Sequence, residues 1–178
     1  MENKLNLSTA ATEVFFRIGG LGNGLGSNSF DDEVNDKYFC WCLVDFSVKN
    51  SFFCFDRESD EMLTFGELEH IRDCLSDLLS DQIEDVVSIS FIEPDLEFRM
   101  HPKLDIRTVK KCVVREGLEI QDVYVEVIIN LEAKQTGFVT FVPQTYSYPL
   151  DRSEILSMRD YLDKVILGLN QQWESAKT

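Results

Sequence analysis

Ser51–Leu79 reads SFFCFDRESDEMLTFGELEHIRDCLSDLL, and a related stretch, FVTFVPQTYSYPLDRSEILSMRDYLDKVI, occupies Phe138–Ile166. The first stretch reads as a strand, a short acidic loop and a capped amphipathic helix. Aligned without a gap, Leu63, Glu67, Arg72, Asp73 and Leu75 fall on Leu150, Glu154, Arg159, Asp160 and Leu162. The apolar phase repeats as well. Leu68, Ile71, Leu75, Leu78 and Leu79 correspond to Ile155, Met158, Leu162, Val165 and Ile166, an i, i+3, i+7 stripe along one side of a helix. Both helices open on a capping-box pattern, Thr64 with Glu67 and Asp151 with Glu154.

The repeat extends upstream. In YFCWCLVDFSV, Tyr38, Cys40, Cys42, Val44, Phe46 and Val48 share one strand face, and Phe39, Trp41 and Leu43 share the other. The second face is too apolar to be an ordinary solvated one, which predicts that something covers it. Lys49-Asn50 turns the chain into Ser51–Phe55. Val123–Leu131 alternates in the same way, and Lys134–Gly137 turns it into Phe138–Val142. Pro143 and Pro149 bracket a loop before the second helix. The predicted unit is a hairpin plus a helix, present twice at 36–79 and 123–166. Between the copies, Val86–Ile92 and Leu96–Met100 flank a Glu93-Pro94-Asp95 turn, and Ile106–Val114 leads to a turn at Glu116-Gly117.

Residues 1–12 read as a frayed terminus and Glu13–Ile18 as a first strand. Gly19–Gly26, GGLGNGLG, invites comparison with a phosphate-binding loop. No GxGxxG register fits, no Gly-Lys-Ser/Thr follows, and acidic residues come next instead of a helix N-terminus. The stretch reads as a flexible loop over 19–30. The tail after Asn170 is polar. One domain over 1–178 is expected.

Acidic residues number 32 against 17 basic ones, a net charge of −15. That balance opposes nucleic acid or an anionic membrane as partner and suits a basic protein. Five cysteines, an odd number without a CxxC, point to reduced thiols in a cytosol. With no apolar leader and no membrane-length run, the expectation is a cytoplasmic protein.

Catalytic and cofactor signals are poor. The two histidines, His70 and His101, have no ligand at metal spacing and read as structural or surface groups. Cys40 and Cys42, at period two, read as strand packing. No serine elbow appears, and no carboxylate stands out in an apolar setting. The expectation is no catalytic residue, no metal and no cofactor. A small-ligand-binding or hydrolytic β-sheet protein is the alternative.

Acid concentrates from Glu67 to Glu97, opposed there by Arg72. Glu69, Asp73, Asp77 and Asp81, spaced by four, are expected on the helix face opposite the leucine stripe. A solvated face would explain them equally. Yet like charges at i, i+4 weaken a helix by roughly 0.2–0.5 kcal/mol per pair, and the second helix mixes Arg152, Arg159 and Lys164 among its acids. The four residues are therefore the predicted partner-binding site, an anionic patch that hastens encounter with a basic partner.

The arrangement resembles the WapI-type immunity protein family of polymorphic toxin systems. The resemblance covers about Asp36 to Leu167. It rests on the hairpin Tyr38–Trp41–Leu43–Val48 then Phe52–Phe55, the helix Leu63–Leu79, the β region around Ile89–Met100, the Val123–Leu131 strand, and the closing Tyr148–Ile166 loop and helix. This chain departs in its longer glycine-rich N-terminal segment and in the lack of glycine at Lys49-Asn50-Ser51. The resemblance implies a non-catalytic cytoplasmic protein that neutralises a cognate toxin domain by binding it. The predicted fold is α+β, a largely antiparallel sheet or sandwich with two amphipathic helices from a duplicated unit.

Overall fold

The computed structural model describes residues 5–8, 12–22, 36–50, 54–92, 96–105, 121–130 and 145–176. The predicted strands Phe138–Val142 and Ile106–Val114, the turns at 116–117 and 134–137, and residues 23–30 of the glycine-rich loop lie outside them. The architecture is α+β, with two four-stranded antiparallel sheets and two helices. Strands β1 (Leu5–Ser8), β2 (Thr12–Leu21), β3 (Trp41–Asn50) and β4 (Cys54–Thr64) form one sheet in chain order, followed by helix α1 (Phe65–Leu79). Strands β5 (Val87–Ser90), β6 (Leu96–Asp105), β7 (Gln121–Asn130) and β8 (Thr145–Leu150) form the other, followed by α2 (Arg152–Ala176). The chain divides into two compact units, Met1–Arg72 with Met158–Thr178, and Asp73–Ser157.

In the first unit, the period-two pattern of β3 buries Cys42, Val44, Phe46 and Val48 and leaves Trp41, Leu43, Asp45 and Ser47 half-buried. Phe16 and Ile18 of β2 join the buried face. Helix α2 covers it: the Tyr161 ring meets Phe16 edge-on at 6.3 Å, and its hydroxyl accepts the Ile18 N–H at 2.7 Å. In the second unit, Leu96, Phe98 and Met100 alternate inward from β6, with Val123, Val125, Val127 and Ile129 from β7. Phe91 packs edge-on against Phe98 at 5.7 Å.

Several sequence expectations need correction. The N-terminal stretch carries β1, whose Leu5 pairs with Phe16 and is buried. Gly19, Gly20 and Leu21 belong to β2, and a register shift between Ile18 and Gly20 absorbs the extra residue as a bulge. At Gly22, whose N–H bonds the Trp41 carbonyl at 2.8 Å, a Cβ would stand 2.6 Å from Glu61 Oε1. The acidic stretch 56–61 is strand. It lies on an edge of the sheet, where charged side chains discourage further pairing. Pro149 likewise sits in edge strand β8, where a missing N–H costs no ladder bond on the open side. Tyr38 and Phe39 are not in β3 but in a 3-10 turn, Asp36–Phe39, and Phe39 is uncovered. Helix α2 runs on to Ala176 because Leu169 and Trp173 continue the buried stripe.

The bulge of β4 opposite β3 makes a small charged cluster. Ser59, at φ 50, donates its backbone N–H to Asp45 Oδ1 at 2.8 Å, and the Arg17 guanidinium pairs with Oδ2. Those donors, the Ser59 N–H foremost, hold the Asp45 carboxyl below its usual 3.8. A depressed pKa contributes stability above the unfolded value, and that contribution is lost as pH falls through the folded value. Asp45→Asn should therefore flatten the fall of melting temperature with pH below about 4, a slope that thermal melts at stepped pH measure directly. An identical slope in the variant would contradict the assignment.

Candidate partner-binding surface

Helix α1 starts where its sequence places it. Thr64 donates its N–H to Glu67 Oε2 at 2.7 Å, and Glu67 returns its N–H to Thr64 Oγ1 at 3.2 Å. Leu68, Ile71, Leu75 and Leu78 turn inward and are buried, while Leu79 is half-buried. The stripe fixes the opposite side as the outer face. There Asp73 and Asp77 are exposed and Glu69 is half-buried, with exposed His70 beside it. At about 1.5 Å rise per residue, successive acids stand ~6 Å apart along the axis.

Asp81, predicted as the fourth member of the helical row, lies beyond the helix. Its N–H bonds the Leu78 carbonyl at 3.3 Å, and Gln82 reaches back to Asp77 O at 2.8 Å. This is a Schellman ending, with Asp81 (φ 56) at the left-handed position that usually takes glycine. A short polar side chain tolerates that conformation better than most. Asp81 is exposed and extends the acidic row past the helix end, so the row is three helical acids and one in the cap.

Electrostatically this end of α1 is inverted. No basic residue occupies its last turn, and Asp77 sits where the helix dipole is negative. Compensation comes from elsewhere in the second unit. Arg152 donates Nη1 to the Leu79 carbonyl at 3.3 Å, and Lys103 Nζ stands 3.8 Å from Asp81 Oδ2. Lys103, at φ 41, falls in the interruption of β6–β7 pairing between His101 and Leu104. The local field registers on Cys74, whose thiol is pushed up by burial first and then by Asp77 and Asp73.

The remaining candidates for chemistry are placed as follows. His101 stacks on Tyr124 with centroids 4.1 Å apart and planes 6° from parallel, and its Nε2 is 3.7 Å from Glu126 Oε2. Burial draws its pKa below the usual histidine value, against the opposing pull of Glu126. Glu126 is shared with Arg99, which also binds Glu97 at 3.0 Å. Cys42 is pushed up to about 12, chiefly by burial, and is a packed thiol and no nucleophile. Among the described residues, no three His, Cys, Asp or Glu side chains converge in a way that would hold a metal ion. Also among them, no helix is long and apolar enough to cross a membrane.

The family model described as the immunity protein WapI-like family matches residues 8–169, most of the chain. The chain belongs to the WapI-like immunity protein family. Comparison with curated proteins and with solved structures found no match to either. In this WapI-like chain the match spans strands β2 to β8, α1 and most of α2. Sequence reasoning found Glu69, Asp73 and Asp77 on one helix face. It missed the cap position of Asp81 and the approach of Lys103, since both depend on backbone at positive φ. It also missed the exposure of Tyr38 and Phe39, having placed them in a strand.

Proposed function

We propose that this WapI-like protein neutralises a cognate toxin domain by binding it directly in the cytoplasm, without catalysis. The observation that carries this reading is the family match over residues 8–169. The proposed partner is a basic protein domain, not nucleic acid or a membrane. A chain of net charge −15 repels both of those and attracts a cationic surface. The proposed contact is the acidic row Glu69, Asp73, Asp77 and Asp81, which supplies long-range attraction and orientation.

Co-expression with the product of the neighbouring gene tests the reading. The expected result is relief of growth arrest together with co-purification in equal amounts, because a binding inhibitor acts by occupancy. Relief by a small substoichiometric amount, or relief with no recoverable complex, would instead indicate a catalytic or ligand-mediated action.

A further inference from the structure

The 3-10 turn Asp36–Phe39 holds two aromatic side chains in solvent, Tyr38 at 45% exposure and Phe39 at 69%. The turn is well anchored. Lys37 Nζ donates to Asn170 Oδ1 at 3.0 Å and lies 4.5 Å from the centre of the Phe65 ring and 5.1 Å from that of Tyr38. Cys40 N–H bonds the Lys37 carbonyl at 3.1 Å, and the Cys40 carbonyl accepts the Phe65 N–H at 2.8 Å. Tyr38 also packs edge-on against Phe65 at 6.3 Å. Large apolar side chains presented openly from a fixed backbone mark an interaction surface better than scattered ones do.

Their position relative to α1 gives them meaning. A Cβ on Gly66 would meet the Tyr38 carbonyl oxygen at 3.1 Å and the Tyr38 Cβ at 3.4 Å, so the turn lies directly on the first turn of the helix. Gly66 and Glu69 are three residues apart and share that helix face. The aromatic pair therefore borders the N-terminal end of the acidic row. On α2, Leu167 is 61% exposed and lies one turn before Asn170, the residue that Lys37 binds.

We propose that Phe39, next to Tyr38 in this anchored turn, is the apolar anchor of the partner-binding surface. Its occupant is a basic protein domain that receives Phe39 in an apolar pocket and sets a cationic side chain against Glu69. The inference rests on the neutralisation reading and deepens it. Protein interfaces are built this way, with aromatic anchors in a desolvated centre and charges at the rim. Charge selects the occupant: a second copy of this chain would bring −15 against −15, whereas a cationic domain is drawn to the same ground.

The test uses the purified toxin-domain product of the neighbouring gene, and compares wild type, Phe39→Ser and Val86→Ser by binding kinetics. Val86 is 54% exposed, lies outside both the aromatic turn and the acidic row, and serves as the control. Phe39→Ser should raise the dissociation rate roughly 30-fold or more, as loss of a hot spot does. The association rate, its salt dependence and the melting temperature should stay at wild-type values, and Val86→Ser should change none of them. An unchanged dissociation rate in Phe39→Ser overturns the anchor while leaving neutralisation intact. A wild-type dimer that Phe39→Ser splits, seen by sedimentation, overturns it in favour of a second copy. Failure of wild type itself to bind the toxin domain overturns the neutralisation reading and the anchor together, and needs no variant to be recognised.

Discussion

Replacing Leu75 or Leu162 by alanine is expected to lower unfolding free energy by about 2–5 kcal/mol each. Both side chains are fully buried and lie in mid-helix, so their removal sacrifices transfer free energy and leaves a void that the rigid surroundings fill only partly. Neither change touches a cap: Thr64 with Glu67, and Asp151 with Glu154, would still close their helix starts. The loss would therefore report packing alone. Denaturant titration with an unchanged slope is the measurement, and a midpoint within error of wild type for either variant would contradict the core assignment. The two leucines coincide when 36–79 is laid on 123–166. We propose that these segments are copies of one ancestral unit, a reading supported by the shared capping box and helical stripe and by the four-stranded meander that precedes each helix.

What could be read beforehand was what is local in the chain. A capping box needs residues three apart, and both boxes form with the predicted partners. Helical and strand periodicity identified the buried faces of α1, α2, β3 and β7, because burial on one side imposes a fixed period on composition. Elements that depend on distant partners were obscure. β1 is only four residues long and takes its identity from Val14 to Phe16 across the ladder. The acids of β4 and the proline of β8 contradict strand propensity, and edge position makes them acceptable. The end of α2 was different in kind. Leu169 and Trp173 continue the helical phase past Leu162 and Ile166, so the signal was present, masked by surrounding polar residues. For the candidate surface, the spacing by four put three acids on one helix face. The fourth was displaced by a left-handed cap, which spacing does not reveal.

Neutralising that surface, as Glu69→Gln, Asp73→Asn, Asp77→Asn and Asp81→Asn together, is expected to slow association with the toxin domain by about 10-fold or more at low salt. Steering acts before contact, so the change should fall mainly on the association rate. It should shrink as salt shortens the screening length from about 30 Å at 0.01 M to about 3 Å at 1 M. Folding should not suffer. The variant removes like-charge pairs on α1 and a negative charge from the negative end of its dipole, and asparagine keeps the tolerance for positive φ that position 81 requires. Stopped-flow association at low and high salt is the decisive measurement. If the quadruple variant associates at the wild-type rate at low salt, the row is a solvated face only. Phe39 makes the two measurements complementary. Its loss acts after contact, on dissociation, so an acid row that steers and an aromatic that anchors would separate cleanly into the two rate constants.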